Sequence, residues 1–404
     1  MPTTATGGAW IEICFGQILE WFSHKQSRDD YFKEALSREQ KLKKHARGER
    51  NLSKRASVLK MSEVWDKVTS FKCLYKAALS CRKNVMWKSS VAGYIANNAI
   101  KTITLSDELR TGKYRLSPYS IFYVHERKER MIVATKMRDR VVQRSICDNY
   151  LYDQLAKEFI YDNAACQNGK GTDFARTRLE HHMRSYFNAY GYKGYALKID
   201  IKNYFGSTSH AVAKQCMRKR IDDAQVADYV CMVIDSFDVV QPGYGIGLGS
   251  ELSQLIELCI LDDIDHMITG ELQISHYVRY MDDLILIHHS KEHLIHCRER
   301  IREELTKLEL SISESKTFIQ PISQGIHFLG FSFRLIPNGT VTRRLLPGRV
   351  GKARRRLKAE RRFADSGQMT YEQLEECYKA TREHMSKCTS QNLARSIDEF
   401  YLFL

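Results

Sequence analysis

Nowhere in the chain does an apolar run reach the length of a membrane span, and the best N-terminal candidate, Trp10 to Phe22, is interrupted by Glu12 and Glu20. It reads as an amphipathic helix, with no signal for secretion. The eleven cysteines include no Cys-x-x-Cys pair. A zinc ribbon and a disulfide framework are thereby set aside, and the cysteines read as reduced thiols of a cytoplasmic protein. A hydrophobic content of 43% over 404 residues argues against disorder and suffices for two or three subdomains around a large core.

Acidic charge is in short supply. The net charge of +15 is concentrated: residues 41–60 carry eight Lys/Arg against Glu49, and residues 349–362 carry eight against Glu360. Clustered cations displace the counterions condensed on phosphates, so each segment is a candidate polyanion contact. A solvated basic helix is the plainer alternative. The Trp65, Val68, Phe71, Leu74 and Tyr75 stripe has helical spacing and reads as core within a helical region from Met61 to about Tyr123.

Two stretches carry acids where the pattern is otherwise that of buried strands. In His276–His288, Asp282 and Asp283 interrupt a run rich in β-formers, which reads as strand, tight turn and strand. Adjacent carboxylates in a buried sheet repel one another and are costly to desolvate, so a cation is the usual remedy, although Asp-Asp also occurs in solvated turns. In Tyr195–Phe205, alternating apolar residues make a strand that delivers Asp200 at its end, followed by the aromatic pair Tyr204-Phe205.

Tyr280-Met281-Asp282-Asp283 resembles the Tyr-x-Asp-Asp box of reverse transcriptases, in particular the bacterial group that includes group II intron, retron, diversity-generating and phage-defence enzymes. Further boxes follow in family order. Arg130 and Arg138 through Gln143 match a fingers strand and helix, with Met131–Thr135 in place of the usual Pro-Leu-Gly-Ile-Pro. Asn163–Phe174 resembles a template-contacting loop, in which Gly169 and Gly171 permit the turn and Thr172 is expected to cap a helix. Asp200 with Tyr204-Phe205 fits Asp-x-x-x-aromatic-Phe. Gly247–Gln254 departs from Gln-Gly-x-x-x-Ser-Pro by Leu248 and by Gln254, the latter shared with diversity-generating and some defence-type relatives; an apolar helix is expected over Leu255–Ile264. Leu310–Thr317 resembles Asn-x-x-Lys-Thr with Ser313 for Asn, and Gly325–Phe331 resembles the primer-grip hairpin.

This resemblance implies a right-hand polymerase, α+β, with helical fingers, an antiparallel palm sheet and a helical thumb. The implied divisions are a basic extension over 1–60, fingers and palm over 61–338, and thumb over 339–404. Asp200, Asp282 and Asp283, with the Ile201 carbonyl, are the implied ligands of two Mg²⁺ ions, Mn²⁺ being a substitute, and oxygen donors suit such ions. Lys316 is the implied proton donor to pyrophosphate. Lys128 and Arg130 supply positive charge for a triphosphate; Phe205, resembling a steric gate, Gln254 and Tyr280 complete the nucleotide site. Phe328, Leu329 and Gly330 are expected to hold the primer, and Arg354, Arg355, Arg356 and Lys358 to bind nucleic acid. A helix capped by Thr370 with Gln373 follows. The partners implied are an RNA template, a DNA primer and product, and dNTPs, with an oligomer or accessory protein compatible and no membrane. No residues are left for endonuclease, protease or RNase H segments. Three other readings stay open: an RNA-synthesising polymerase, a maturase-like RNA binder, and a protein-primed or untemplated polymerase.

Overall fold

The computed structural model describes residues 62–125, 129–238, 241–390 and 392–404, with the backbone alone for His125 and Arg130. The Trp10–Phe22 segment and the basic run at 41–60 lie outside the described residues.

Ser62 and Ser70 accept the Trp65 and Cys73 amides and open α1 (Glu63–Val68) and α2 (Phe71–Cys81). Trp65, Val68, Phe71 and Leu74 are buried, as the stripe predicts, and Tyr75 is half-buried. After α3 (Ser89–Ala96) and α4 (Asn98–Arg110) the helical reading overshoots. Gly112, at φ +70°, stops the helix, and the β-favouring Ile-Phe-Tyr-Val of β1 (Ser120–His125) pairs antiparallel with β2 (Glu129–Ala134). Arg138–Gln143 lie in α5 (Met137–Ile146). Past a π-helical turn (Cys147–Leu151) and a single α-helical turn (Tyr152–Leu155) comes α6 (Thr172–Tyr190), where Thr172 is the first helical residue, Gly171 holds the cap position and no side chain caps the helix, contrary to expectation. The chain continues through β3 (Tyr195–Asp200), α7 (Tyr204–Ser207), α8 (His210–Arg220) and α9 (Ala224–Asp235). The helix expected over 255–264 is instead α10 (Glu251–Ile260), a break at Leu261, and α11 (Asp262–His266). The hairpin β4 (His276–Tyr280) and β5 (Asp283–His288), α12 (Lys291–Lys307), β6 (Phe318–Pro321), β7 (Ile326–Phe328), β8 (Phe331–Leu335) and β9 (Val341–Leu345) follow, then α13 (Arg349–Asp365), α14 (Tyr371–Ser386) and α15 (Asn392–Leu402).

These elements form two units. One comprises the described residues up to Gln154 with Arg218–Ser236 and Gly247–Ser253. In it α2 packs on α5, the Trp65 and Tyr114 rings both meet that of Tyr229, and Val141 and Ile146 of α5 are fully buried. The other comprises Leu155–Met217, Phe237–Ile246 and Gln254–Leu404. Its antiparallel sheet runs β4-β5-β3-β6, with α6 packed on β4 and α12 on β3 and β5. A second sheet, β7-β8-β9, shares one apolar core with α6 and the face carrying Ala196, Val278, Ile285 and Ile287. Leu357, Met385 and Ile397 bind α13, α14 and α15 into a small bundle, and Thr370 with Gln373 makes the expected capping box.

Candidate active site

The β4–β5 hairpin closes with a two-residue loop, because Tyr280 and Asp283 face each other across the ladder and only Met281 and Asp282 lie between. Met281 sits at φ +54°, a conformation usually left to glycine, which costs a side-chain-bearing residue about 1 kcal/mol or more. Its carbonyl is held at 3.2 Å by Arg279 Nη1. Arg279 is fully buried, and its Nε and Nη2 lie 2.6–2.9 Å from the carboxylate oxygens of Asp265 on α11. Tyr277 Oη donates to the same carboxylate at 2.6 Å, and Arg279 Nη2 also reaches the Leu258 carbonyl. Sequence reasoning passed over this anchor. The signal was one arginine inside an apolar strand, which demands a buried partner.

Asp200, at the end of β3, is the register partner of Asp283, so both side chains leave the same face of the sheet. The Leu310–Thr317 segment wraps this corner: the Ser313 amide donates to the Asp200 carbonyl at 2.7 Å, and Lys316 Nζ lies 2.7 and 2.5 Å from the two Asp200 carboxylate oxygens. Ile201 bridges to Ile312. Lys198, two residues back on the same face, brings Nζ to 2.9 Å from Asp283 Oδ1 without the angle of a hydrogen bond. Burial, followed by the neighbouring charges of Asp283 and Asp200, pushes the Asp282 carboxyl up to about 6. Carboxylates are hard oxygen donors, and three of them at one corner of the sheet suit a divalent cation such as Mg²⁺. As they stand, no three Asp, Glu, His or Cys side chains among the described residues are gathered to hold an ion. Two ammonium groups, Lys316 beside Asp200 and Lys198 beside Asp283, offset part of the negative charge.

Phe205 is half-buried in the short α7, entered through Asn203 at φ +47°. Its carbonyl accepts the Ile246 amide at 2.7 Å, and the Gly245 amide donates to Thr208, so the Gly243–Ile246 stretch braces this turn. Beneath it Tyr204 Oη donates to the Glu257 carbonyl at 2.5 Å, and Thr208 Oγ1 lies 3.2 Å from Glu257 Oε2. Glu257 is completely buried, which pushes its carboxyl up to about 8. Gln254 accepts at Oε1 from Cys166 Sγ, 3.1 Å away, and the same sulfur is 3.8 Å from Met281 Sδ. Cys166 therefore joins Gln254 to the hairpin loop. No sequence signal pointed to Cys166 or Glu257.

A model of the family described as "Reverse transcriptase (RNA-dependent DNA polymerase)" matches residues 124–333, more than half of the chain. The chain belongs to the reverse transcriptase family. Its fold is the α+β right-hand polymerase, with β4-β5-β3-β6 as the palm sheet. A search of curated protein sequences finds no match. Among solved structures, a telomerase from Candida albicans in complex with a fragment of telomeric RNA is similar at 12% identity and TM-score 0.46, over 70% of this chain and 55% of that one. The apo telomerase from Candida tropicalis, truncated of its C-terminal domain, is similar at 13% identity and TM-score 0.42, over 57% and 56%. The chain thus spans little more than half the length of these telomerases.

Lys128 lies outside the described residues, and Arg130 stands in β2 with only its backbone described. Tyr280 is half-buried against the core shared by α6 and the second sheet. Phe328 and Phe331 are buried register partners, and the loop between them, Leu329 at φ +45° and Gly330 at φ +89°, has the two positive φ values of a tight hairpin turn. Arg176 Nη2 clamps the Leu329 carbonyl at 2.8 Å, with its guanidinium 4.7 Å from the Phe331 ring centre. On α13, Arg355 and Lys358 are exposed, and Arg356 pairs with Glu360 at 2.7 Å. Arg354 turns inward, with Nη2 2.5 Å from Ser396 Oγ and its guanidinium over the Phe400 ring. Among the described residues no helix is long and apolar enough to cross a membrane.

Proposed function

We propose that this reverse transcriptase is an RNA-directed DNA polymerase that copies a structured non-coding RNA into DNA for a bacterial retroelement or an antiviral defence system. The observation that carries the polymerase reading is the meeting of Asp200, Asp283 and Asp282 at one end of the palm sheet, with Lys316 on the Asp200 carboxylate. Asp200, Asp282, Asp283 and the Ile201 carbonyl would hold two Mg²⁺ ions, for which Mn²⁺ would substitute. When bound, such ions lower the pKa of the primer 3′-hydroxyl and neutralise charge on the leaving pyrophosphate. Lys316, whose Nζ lies on the Asp200 carboxylate, is the proton donor to that pyrophosphate. Phe205, fixed from below by the Tyr204–Glu257 bond, fills the space a 2′-hydroxyl would need, which selects dNTPs. Lys128 and Arg130 meet the triphosphate, Tyr280 and Gln254 border the nascent pair, the Phe328–Gly330 turn holds the primer end, and the exposed cations of α13 meet the duplex.

The intact acids speak against a maturase-like RNA binder that has lost synthesis, and Phe205 against an RNA-synthesising polymerase. In diversity-generating relatives a glutamine at the place of Gln254 goes with error-prone copying, so Gln254 makes low fidelity possible here, while some defence-type relatives carry it too. Sequencing the RNA and DNA that copurify with the protein names template, product and error spectrum together. On a defined RNA template, Phe205→Ala is expected to raise rNTP relative to dNTP incorporation by about tenfold or more, each factor of ten being about 1.4 kcal/mol of discrimination. An unchanged sugar preference would sink the gate and restore the RNA-polymerase reading. Gln254→Pro is expected to lower misincorporation; an unaltered error spectrum would move the biological role toward defence.

A further inference from the structure

From residue 67 to residue 106 the chain contains seven Lys/Arg and not one Asp or Glu. The stretch covers α2, α3 and most of α4, and the turn between α2 and α3 is bent by Asn84 at φ +60°. There Trp87 is 79% exposed, whereas Trp65, in the same unit, is 7% exposed and serves the core. Lys88 Nζ lies 5.1 Å from the centre of the Trp87 ring, and Lys83, in the same turn, is exposed. Nearby in sequence, Ile100 is 60% exposed, and Lys101 Nζ stands 5.1 Å from the centre of the Tyr94 ring.

We propose that the Trp87 turn is a binding site for single-stranded nucleic acid, in which Trp87 stacks on an unpaired base while Lys83 and Lys88 meet the flanking phosphates. A bare indole on a folded unit adds nothing to its core and is held in water at a cost, so its use is a ligand with a flat apolar face. The absence of any acid over forty residues makes that ligand an anion, and a polynucleotide strand joins the two properties in one repeating unit. A duplex does not, because its bases are already stacked on one another. An acidic protein segment would satisfy the lysines and leave the indole face without a planar partner.

The inference rests on the polymerase reading only for the identity of the strand, taken to be unpaired template. Binding itself is testable without catalysis, using the full chain with EDTA and no nucleotides. A labelled twenty-nucleotide oligouridylate, the matching oligothymidylate and a twenty-base-pair duplex serve as probes. Trp87→Ala is expected to weaken oligouridylate binding about tenfold, Trp87→Phe to retain most of it, and neither to change duplex binding. Neutralising Lys83 and Lys88 together is expected to flatten the salt dependence by about 0.7 in log–log slope for each phosphate that is no longer neutralised. A 4-thiouridine in the strand is expected to photo-crosslink within the turn. Equal loss for RNA and DNA strands means the site ignores the sugar; a larger loss for RNA assigns it to template. Unchanged strand affinity in Trp87→Ala together with no crosslink in the turn would overturn the proposal and leave the surface to a protein partner, as would equal losses for strand and duplex. If strand binding behaves as described while extension assays show no synthesis, the polymerase reading fails and this site stands.

Discussion

Two ion pairs on the palm sheet, both joining strands to distant segments, have opposite characters. Arg279 and Asp265 are entirely buried, and every contact between them is made inside the protein, with Tyr277 and the Leu258 and Met281 carbonyls completing the network. Lys316 and Asp200 make a contact of similar length, yet the lysine side chain is 49% exposed. A buried pair cannot exchange partners, because releasing either charge into an apolar interior costs several kcal/mol. The Lys316 pair lies at the water boundary, so its ammonium can yield the carboxylate to another cation. The first pair fixes the hairpin that presents the acids; the second leaves one of those acids available.

The largest expected effect breaks the chemical half of this comparison. Replacing both Asp282 and Asp283 with Ala is expected to abolish Mg²⁺-dependent dNTP incorporation while leaving RNA binding near wild type, checked by primer extension and filter binding. Robust synthesis by that variant would remove the acids from the reaction. Lys316→Ala is expected to slow the chemical step roughly 10²–10⁴-fold and to leave the melting temperature unchanged; wild-type single-turnover rates would return Lys316 to surface charge.

Arg279→Ala probes the structural half. It is expected to cost about 3–5 kcal/mol in urea unfolding, since Asp265 is left buried and unpaired, whereas an exposed pair in its place would lose less than about 1 kcal/mol. A loss of that smaller size would erase the distinction drawn between the two pairs.

The smallest effect, taken per pH unit, is that of Glu257. Glu257 has its folded-state value raised from 4.5 to about 8, chiefly by burial. The folded chain therefore holds a proton that the unfolded chain releases, so stability is greatest below about pH 4.5 as far as this group is concerned and falls as pH rises through the window up to about 8. The slope is at most about 1.4 kcal/mol per pH unit. Glu257→Gln is expected to flatten the profile between pH 5 and 8, followed by thermal unfolding; an unaltered profile would mean that Glu257 ionises freely in the fold.

The local boxes were legible because each is written in consecutive residues. The alternation of Tyr195–Asp200 and the β-formers of His276–His288 marked three strands with acids at their ends, and Thr370 with Gln373 marked a helix start that the fold keeps. Ser120–His125 was misread as helix because the helical stripe before it carried past Gly112, where the chain turns. Arg354 looked like its neighbours on α13 until α15 folded against it.

By itself the sequence determined which acids fall at strand ends, the strands that carry them and the concentration of positive charge, since these depend on side-chain type and short-range periodicity. Only the tertiary structure decided that Asp200 lies opposite Asp283, that Lys316 reaches back over 116 positions to Asp200, that Cys166 meets Gln254, and that Arg279 finds Asp265. Such contacts join residues with no periodic relation in the chain. Their partners are selected by which buried groups must be satisfied once the sheet has formed and water has been expelled.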